Sequence, residues 1–180
     1  MRTRGTPTSP PAHQTVDVRV LVLADTHLPD GTDRTLDPRV LDAAADADAV
    51  LHAGDVTGGE LLDRLAVLAP VHAVLGNNDV SLRGRLPEEV RLDLDGVDVA
   101  MVHDAGARQG RPTRMARRFP GADLVVFGHS HQPENLDQAD GPRLFNPGSP
   151  TQRRRAPTRT VGILELDRGR IVDLRHVALA

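Results

Sequence analysis

Short apolar runs alternate with polar breaks along this chain, and the period of the pattern changes halfway. Residues 16–24 form a Val/Leu-rich run of the kind that fills a buried strand. Asp37-Pro38 then offers an N-cap followed by proline in the first turn, and Val40, Leu41 and Ala44 recur at helical spacing to about Asp46. A second strand is predicted over 49–53. A helix follows from Gly59 to about Leu68, with Leu61, Leu62, Leu65 and Leu68 on one face, and a third strand spans 71–75. Strand-helix-strand-helix-strand with short connections predicts a parallel sheet.

The second half reads differently. Segments 90–94 and 97–102 flank Asp95-Gly96, a hairpin turn signal. A short basic helix is predicted from Pro112 to about Phe119, and 123–127 is another buried strand. Further strands lie near 143–145, 160–166 and 170–177, the last two joined by Asp167-Arg168-Gly169. Parallel units followed by hairpins predict an α/β fold with two sheets face to face and helices outside.

Five of the apolar runs stop at a donor side chain. VRVLVLAD ends at Asp25, followed by Thr26-His27; AVLHAGD ends at Asp55; VHAVLGNND ends at Asn77, Asn78 and Asp79. VDVAMVH ends at His103, and DLVVFGHSH at His129 and His131. Parallel sheets gather their ligands just beyond the carboxyl ends of the strands. Each short motif has a bland reading by itself. An Asp after a strand usually caps a turn or helix, and a lone His closing a strand is more often a satisfied core histidine. Together they read otherwise. Imidazoles, carboxylates and one amide suit Zn, Mn, Fe, Ni or Co rather than Ca or Mg. Seven ligands with one shared carboxylate fill two four-ligand sets, which is a two-metal site.

Composition narrows the alternatives. The 180 residues are expected to form one domain, 16–180, with a core of Val, Leu and Ala, since there are three Phe and no Trp or Tyr. The absence of Cys excludes disulfides, thiolate metal sites and a cysteine nucleophile, and fits a reducing compartment, so a cytoplasmic location is expected. The 25 acidic residues outnumber the 22 basic ones, so no net field draws the chain to nucleic acid. With three Phe as its only Phe, Tyr or Trp residues, the chain is also poor in stacking platforms, and nucleic acid is expected only as a substrate. No apolar stretch approaches the roughly 20 residues that span a bilayer. Residues 1–15 are Pro/Thr-rich without an apolar core and read as a disordered leader.

In this order, Asp25-x-His27, Gly54-Asp55, Gly76-Asn77-x-Asp79, His103 and Gly128-His129-x-His131 resemble the calcineurin-like metallophosphoesterases. The compact length and Asn146-Pro147-Gly148-Ser149 most resemble their small bacterial and archaeal phosphodiesterase branch. The resemblance runs from residue 16 to 177. It implies a four-layer α/β/β/α sandwich with a dinuclear site at the strand ends. It also implies that Asp25, His27, Asp55 and His131 hold one divalent ion, while Asp55, Asn77, His103 and His129 hold the other. Asp55 would bridge, and manganese is the first choice of metal, with Ni, Fe, Co and Zn as alternatives. A water or hydroxide activated there would attack phosphorus, and Asp55, Asn77, Asn78 and Asp79 become the catalytic candidates.

Two departures from the family pattern stand out. Many relatives carry His where this chain has Asn78, and Asn supplies no proton near neutral pH, so general-acid help of about 10²–10⁴-fold is expected to be absent. Asp104-Ala105 follows His103 where relatives often read Gly-His, which leaves Asp104 as a residue that would orient a ligand rather than bind an ion. Among the rest, His52 is expected to be structural, His72 and His176 to be partly exposed strand residues, and His13 to lie in the leader. Asn146-Pro147-Gly148-Ser149 is expected to turn close to the site and bond a ligand histidine from its backbone. Arg153-Arg154-Arg155, like the cluster Arg108, Arg111, Arg114, Arg117 and Arg118, reads either as a solvated run or as a phosphate clamp. The expected activity is metal-dependent phosphodiester hydrolysis on a small substrate. Phosphomonoesterase activity and a non-catalytic interaction scaffold, the role of the retromer subunit that shares this fold, are the alternatives. A Val/Leu-rich edge strand would support a homodimer.

Overall fold

The computed structural model describes residues 18–179, so the proposed leader lies outside the described residues. Strand β1 (Val18–Leu23) leads into helix α1 (Pro38–Ala45), β2 (Ala49–His52), α2 (Gly59–Ala66) and β3 (Val71–Ala73). A 3₁₀ turn over Val80–Leu82 precedes the hairpin of β4 (Glu89–Leu94) and β5 (Val97–Val102). Helix α3 (Arg111–Arg118), β6 (Leu124–Val126), β7 (Glu134–Leu136), β8 (Arg143–Asn146) and the hairpin of β9 (Arg159–Asp167) and β10 (Arg170–Leu179) complete the order.

The strands form two five-stranded sheets, β10-β9-β1-β2-β3 and β4-β5-β6-β8-β7. β1, β2 and β3 are parallel to one another, and β9 and β10 add an antiparallel pair. In the second sheet β5, β6 and β8 are parallel, with β4 and β7 antiparallel at the edges.

Side-chain alternation along each strand builds the layers. Leu21 and Leu23 of β1 pack with Val40, Ala44, Leu61, Leu62 and Leu65 from the two first helices. Val20, Val22 and Ala24 point the other way, into a core shared with Val99, Met101, Leu124, Val126 and Phe145 of the second sheet. The far face of that sheet, Ala100, Val102, Val125 and Leu144, is covered by Met115 and Phe119 of the α3 segment. This is the four-layer α/β/β/α arrangement. A sheet covered on both faces explains why its strands read as unbroken apolar runs.

Local signals account for most boundaries. The Asp37 carboxylate accepts from the backbone N–H of Arg39, capping α1, and Pro38 sits in the first turn. Asp95 and Gly96 both have positive φ, at 52° and 82°, the conformation that a tight two-residue hairpin requires. The third and sixth strands are shorter than the apolar runs that predict them, because the chain leaves the ladder early to turn toward the site. Strand β7 and the 3₁₀ turn have no counterpart in the sequence reading.

Candidate metal centre

The turns after β1, β2, β3, β5 and β6 all emerge on one edge, between the two sheets. Asp25, Asp55, His103 and His131 are buried there, His27 is partly buried, and Asn77 and His129 open to solvent. His27 Nε2 lies 3.1 Å from His131 Nε2, and His131 Nε2 lies 3.5 Å from Asp25 Oδ1. On the other side Asn77 Oδ1 lies 3.1 Å from His103 Nε2 and 2.9 Å from His129 Nδ1. Asp55 Oδ2 stands between the two groups, 3.6 Å from His27 Nε2 and 3.5 Å from His103 Nε2. All seven candidate ligands therefore meet in one place.

Two sets of donor atoms are close enough to share an ion: Asp25, His27 and His131, and Asp25, Asp55 and His103. The donor spacing suits a cation. Two ligands about 2.0–2.1 Å from a tetrahedral ion stand about 3.4 Å apart, near the observed imidazole separation. A second observation points the same way. Asp25 Oδ2 is fully buried and has no hydrogen-bond partner, and a buried carboxylate oxygen is left so only at a cost. The donor set fits divalent metal ions. Asp25 is common to both geometric sets, and Asp55 Oδ2 lies within 3.6 Å of both His27 Nε2 and His103 Nε2.

The backbone bears the cost of this convergence. Asp25, His27, Asp55, His129 and His131 all adopt left-handed φ values between 45° and 70°, a conformation that costs a non-glycine residue about 1–3 kcal/mol. The left-handed turn lets a strand end aim two side chains, such as Asp25 and His27, at one point. Gly76 allows a close approach: a Cβ there would collide with the backbone N and carboxylate of Asp55.

Neighbouring groups hold the candidates in register. His103 Nδ1 lies 2.7 Å from the Ala53 carbonyl and His131 Nδ1 lies 2.8 Å from the Gln152 carbonyl, which leaves each Nε2 directed at the centre. Asn78 binds Asp55 twice, through its backbone N–H at 2.8 Å and its side-chain amide at 2.7 Å. Burial raises the Asp25 carboxyl to about 7, helped by Asp55 and opposed by His103 and Arg154. Burial also works against ionised Asp55, but hydrogen bonds from His103 and Asn78 outweigh it and hold that carboxyl below its usual range. Burial likewise opposes a charged His103, yet Asp55 and the Ala53 carbonyl raise it. His131 is lowered to about 4, chiefly by burial.

Several expectations change. Asp79 is buried, but its carboxylate turns to the backbone, accepting from the N–H groups of Asp55, Gly76 and Thr57 at 2.9, 2.7 and 2.6 Å. It clips the loops after β2 and β3 together. Asp104 does not orient His103: it is exposed and accepts from the Gly106 N–H at 2.7 Å, and the Ala53 carbonyl holds the imidazole instead. Asn146-Pro147-Gly148-Ser149 does turn at the site, where Ser149 Oγ donates to the Asp25 carbonyl at 2.7 Å. The backbone group that meets a ligand histidine comes three residues later, from Gln152.

His52 lies fully buried beneath the centre with Nε2 3.1 Å from Thr26 Oγ1. His72 is partly exposed, as is His176, whose ring stacks on Phe145. In the cluster around α3, Arg111 and Arg118 pair with Glu134 and Glu89, and Arg114 donates to the Ala105 carbonyl. Those cations are engaged by the protein itself.

Two covered sheets with carboxylates and imidazoles converging at one edge are the architecture of a metallophosphoesterase. The chain belongs to the calcineurin-like phosphoesterase superfamily, whose domain model matches residues 18–169. A probable metallophosphoesterase of Methanothermobacter thermautotrophicus is 35% identical over 136 residues, covering 74% of this chain and 77% of that protein. Another, from Methanocaldococcus jannaschii, is 36% identical over 136 residues and covers 74% and 68%. The zinc complex of Vps29 from Entamoeba histolytica shares the fold, with a TM-score of 0.69 at 23% identity over 89% of this chain and 98% of that one. Family membership implies metal-dependent phosphoester hydrolysis. No helix among the described residues is long and apolar enough to cross a membrane.

Proposed function

We propose that this protein is a phosphodiesterase whose seven donors hold two divalent transition-metal ions, manganese first among them. Asp25, His27, Asp55 and His131 hold one, and Asp55, Asn77, His103 and His129 hold the other. The observation that carries this reading is the position of Asp55 Oδ2, within 3.6 Å of one imidazole from each set. Ions bound there would supply Lewis-acid charge and lower the pKa of an attacking water.

The chain's own residues do the remaining work. Asn78 fixes the rotamer of Asp55 through two hydrogen bonds, so the shared carboxylate is oriented before substrate arrives. Ala53 and Gln152 fix the tautomers of His103 and His131. Asn78 cannot protonate a departing alkoxide, so the leaving group departs with its charge. A cleft of about 460 Å³ opens beside Asn77 and His103, lined also by Leu75, Arg83 and Val102, with room for an ester substituent. That room accommodates an ester group of a diester beside the candidate centre. The shared fold of Vps29 keeps a scaffold role as the rival, but every candidate ligand is present here, which favours catalysis.

The test is hydrolysis of bis-nitrophenyl phosphate and of nitrophenyl phosphate by protein loaded with Mn, Ni, Co, Zn or Mg. The diester is expected to be the better substrate, with Mn activating. Failure to cleave either ester with any metal would sink the enzymatic reading.

A further inference from the structure

The arginine triplet at 153–155 follows directly after the loop that braces the ligand residues. Ser149 Oγ donates to the Asp25 carbonyl, Thr151 Oγ1 donates to the Thr26 carbonyl at 2.7 Å, and the Gln152 carbonyl meets His131 Nδ1. Beyond the triplet, the backbone N–H of Ala156 donates to the Arg153 carbonyl at 2.7 Å, and Ala156 is buried. The turn is therefore anchored on both sides of Arg154.

The three side chains part company. All three are exposed, and Arg153 reaches forward to the Pro157 carbonyl at 3.3 Å. Arg154 Nη1 instead lies 3.5 Å from the carbonyl of His129, a candidate ligand. Arg154 is left-handed at φ 45°. Apart from Asp95 and Arg168 in hairpin turns, the other left-handed non-glycine residues are Thr57 and five candidate ligands. Among the described residues none of the three forms an ion pair, whereas Arg85, Arg91, Arg111, Arg118 and Arg175 all do; what sets Arg154 apart is its approach to the His129 carbonyl.

A cation held unpaired beside a cation-binding cluster is repelled by whatever fills that cluster, unless an anion joins them. A phosphate offers enough oxygens to meet both, and the guanidinium fork matches it in shape. We infer that Arg154, alone of the triplet, binds the non-bridging oxygens of the substrate phosphate and anchors it across the candidate metal centre. This rests on the phosphoesterase reading. Arg154 also offers charge stabilisation, though no proton, on a site whose Asn78 supplies neither.

The test uses manganese-loaded full-length protein, with inorganic phosphate binding followed by calorimetry and KM measured on bis-nitrophenyl phosphate. Arg154→Ala is expected to weaken phosphate binding and raise KM by about 10- to 100-fold, the scale of a lost charge-assisted pair. Manganese content should stay at the wild-type level. Arg154→Lys should recover part of the loss, and Arg153→Ala and Arg155→Ala should stay within about twofold of wild type. Phosphate affinity and KM unchanged in Arg154→Ala, or a loss matched by lost manganese, overturns the assignment. Wild-type protein that neither turns over nor binds phosphate overturns the phosphoesterase reading itself, a result distinct from an active enzyme indifferent to Arg154.

Discussion

Asp79 Oδ2 accepts the backbone N–H of Asp55 at 2.9 Å, so the loop after β3 grips the loop after β2 through a charged hydrogen bond. The same carboxylate also takes the N–H groups of Gly76 and Thr57. Hydrogen bonds to charged groups contribute about 1.5–3 kcal/mol each. Asp79→Asn replaces one acceptor oxygen with a donor that faces other donors. It is expected to lower stability in urea by about 2–3 kcal/mol and to weaken manganese binding. A variant of unchanged stability with abolished turnover would return Asp79 to a directly catalytic role.

Gly76 faces that same grip. Gly76→Ala drives a methyl into the backbone and carboxylate of Asp55, and overpacking of this kind costs about 1–3 kcal/mol. Gly31→Ala meets nothing within 4 Å and bears only the strain of its φ of +69°, about 1–2 kcal/mol. Thermal melts of both variants, with and without manganese, should show a lost metal-induced shift only for Gly76→Ala.

Proton release should accompany metal binding. The Asp25 carboxyl stands near 7 in the metal-free fold, above its ordinary 3.8, so the folded chain holds a proton there that the unfolded chain has lost from about pH 4 upward. This group therefore lowers the stability of the metal-free protein as pH rises through that window. An ion needs the carboxylate free, so manganese affinity should fall by about tenfold or more per pH unit below 7. Burial leaves His131 near 4 and already neutral, while raised His103 adds to the protons released. Calorimetry in buffers of different ionisation enthalpy measures the count, and zero release at about pH 6 would contradict the burial of Asp25 as its cause.

The missing acid at position 78 should show in substrate preference. Nitrophenolates leave without protonation, whereas alkoxides do not, so the ratio of nitrophenyl to alkyl diester turnover should be large. Asn78→His is expected to raise alkyl diester turnover relative to nitrophenyl turnover by about tenfold or more, within the range of general-acid catalysis. Equal wild-type rates on both diesters would show that another group protonates the leaving oxygen.

The sequence exposes the candidate ligands because buried parallel strands announce themselves as apolar runs, and donors in this fold stand at their ends. It exposes the layers because residues 16–75 and 90–177 differ in how the strands connect. It hides β7, since Glu134-Asn135-Leu136 carries no apolar run and owes its pairing to β8. It also hides the main-chain partners of the site. The Ala53 and Gln152 carbonyls are anonymous in a sequence, and only the folded chain brings Gln152 against His131. It hides the partners of Asp79 too, because an acidic residue at a strand end looks alike whether it faces a donor cluster or three backbone amides. The arginine triplet gives no hint that its members diverge, since that depends on a turn fixed by Ala156.

The most direct measurement is the manganese content of purified protein after equilibration with excess metal and removal of the unbound ion. Convergence of seven donors on a shared Asp55 predicts two ions per chain in the wild type, with at most one retained in Asp55→Asn and turnover reduced by orders of magnitude. A wild type that retains no manganese, or an Asp55→Asn variant that keeps two ions and full turnover, would contradict it.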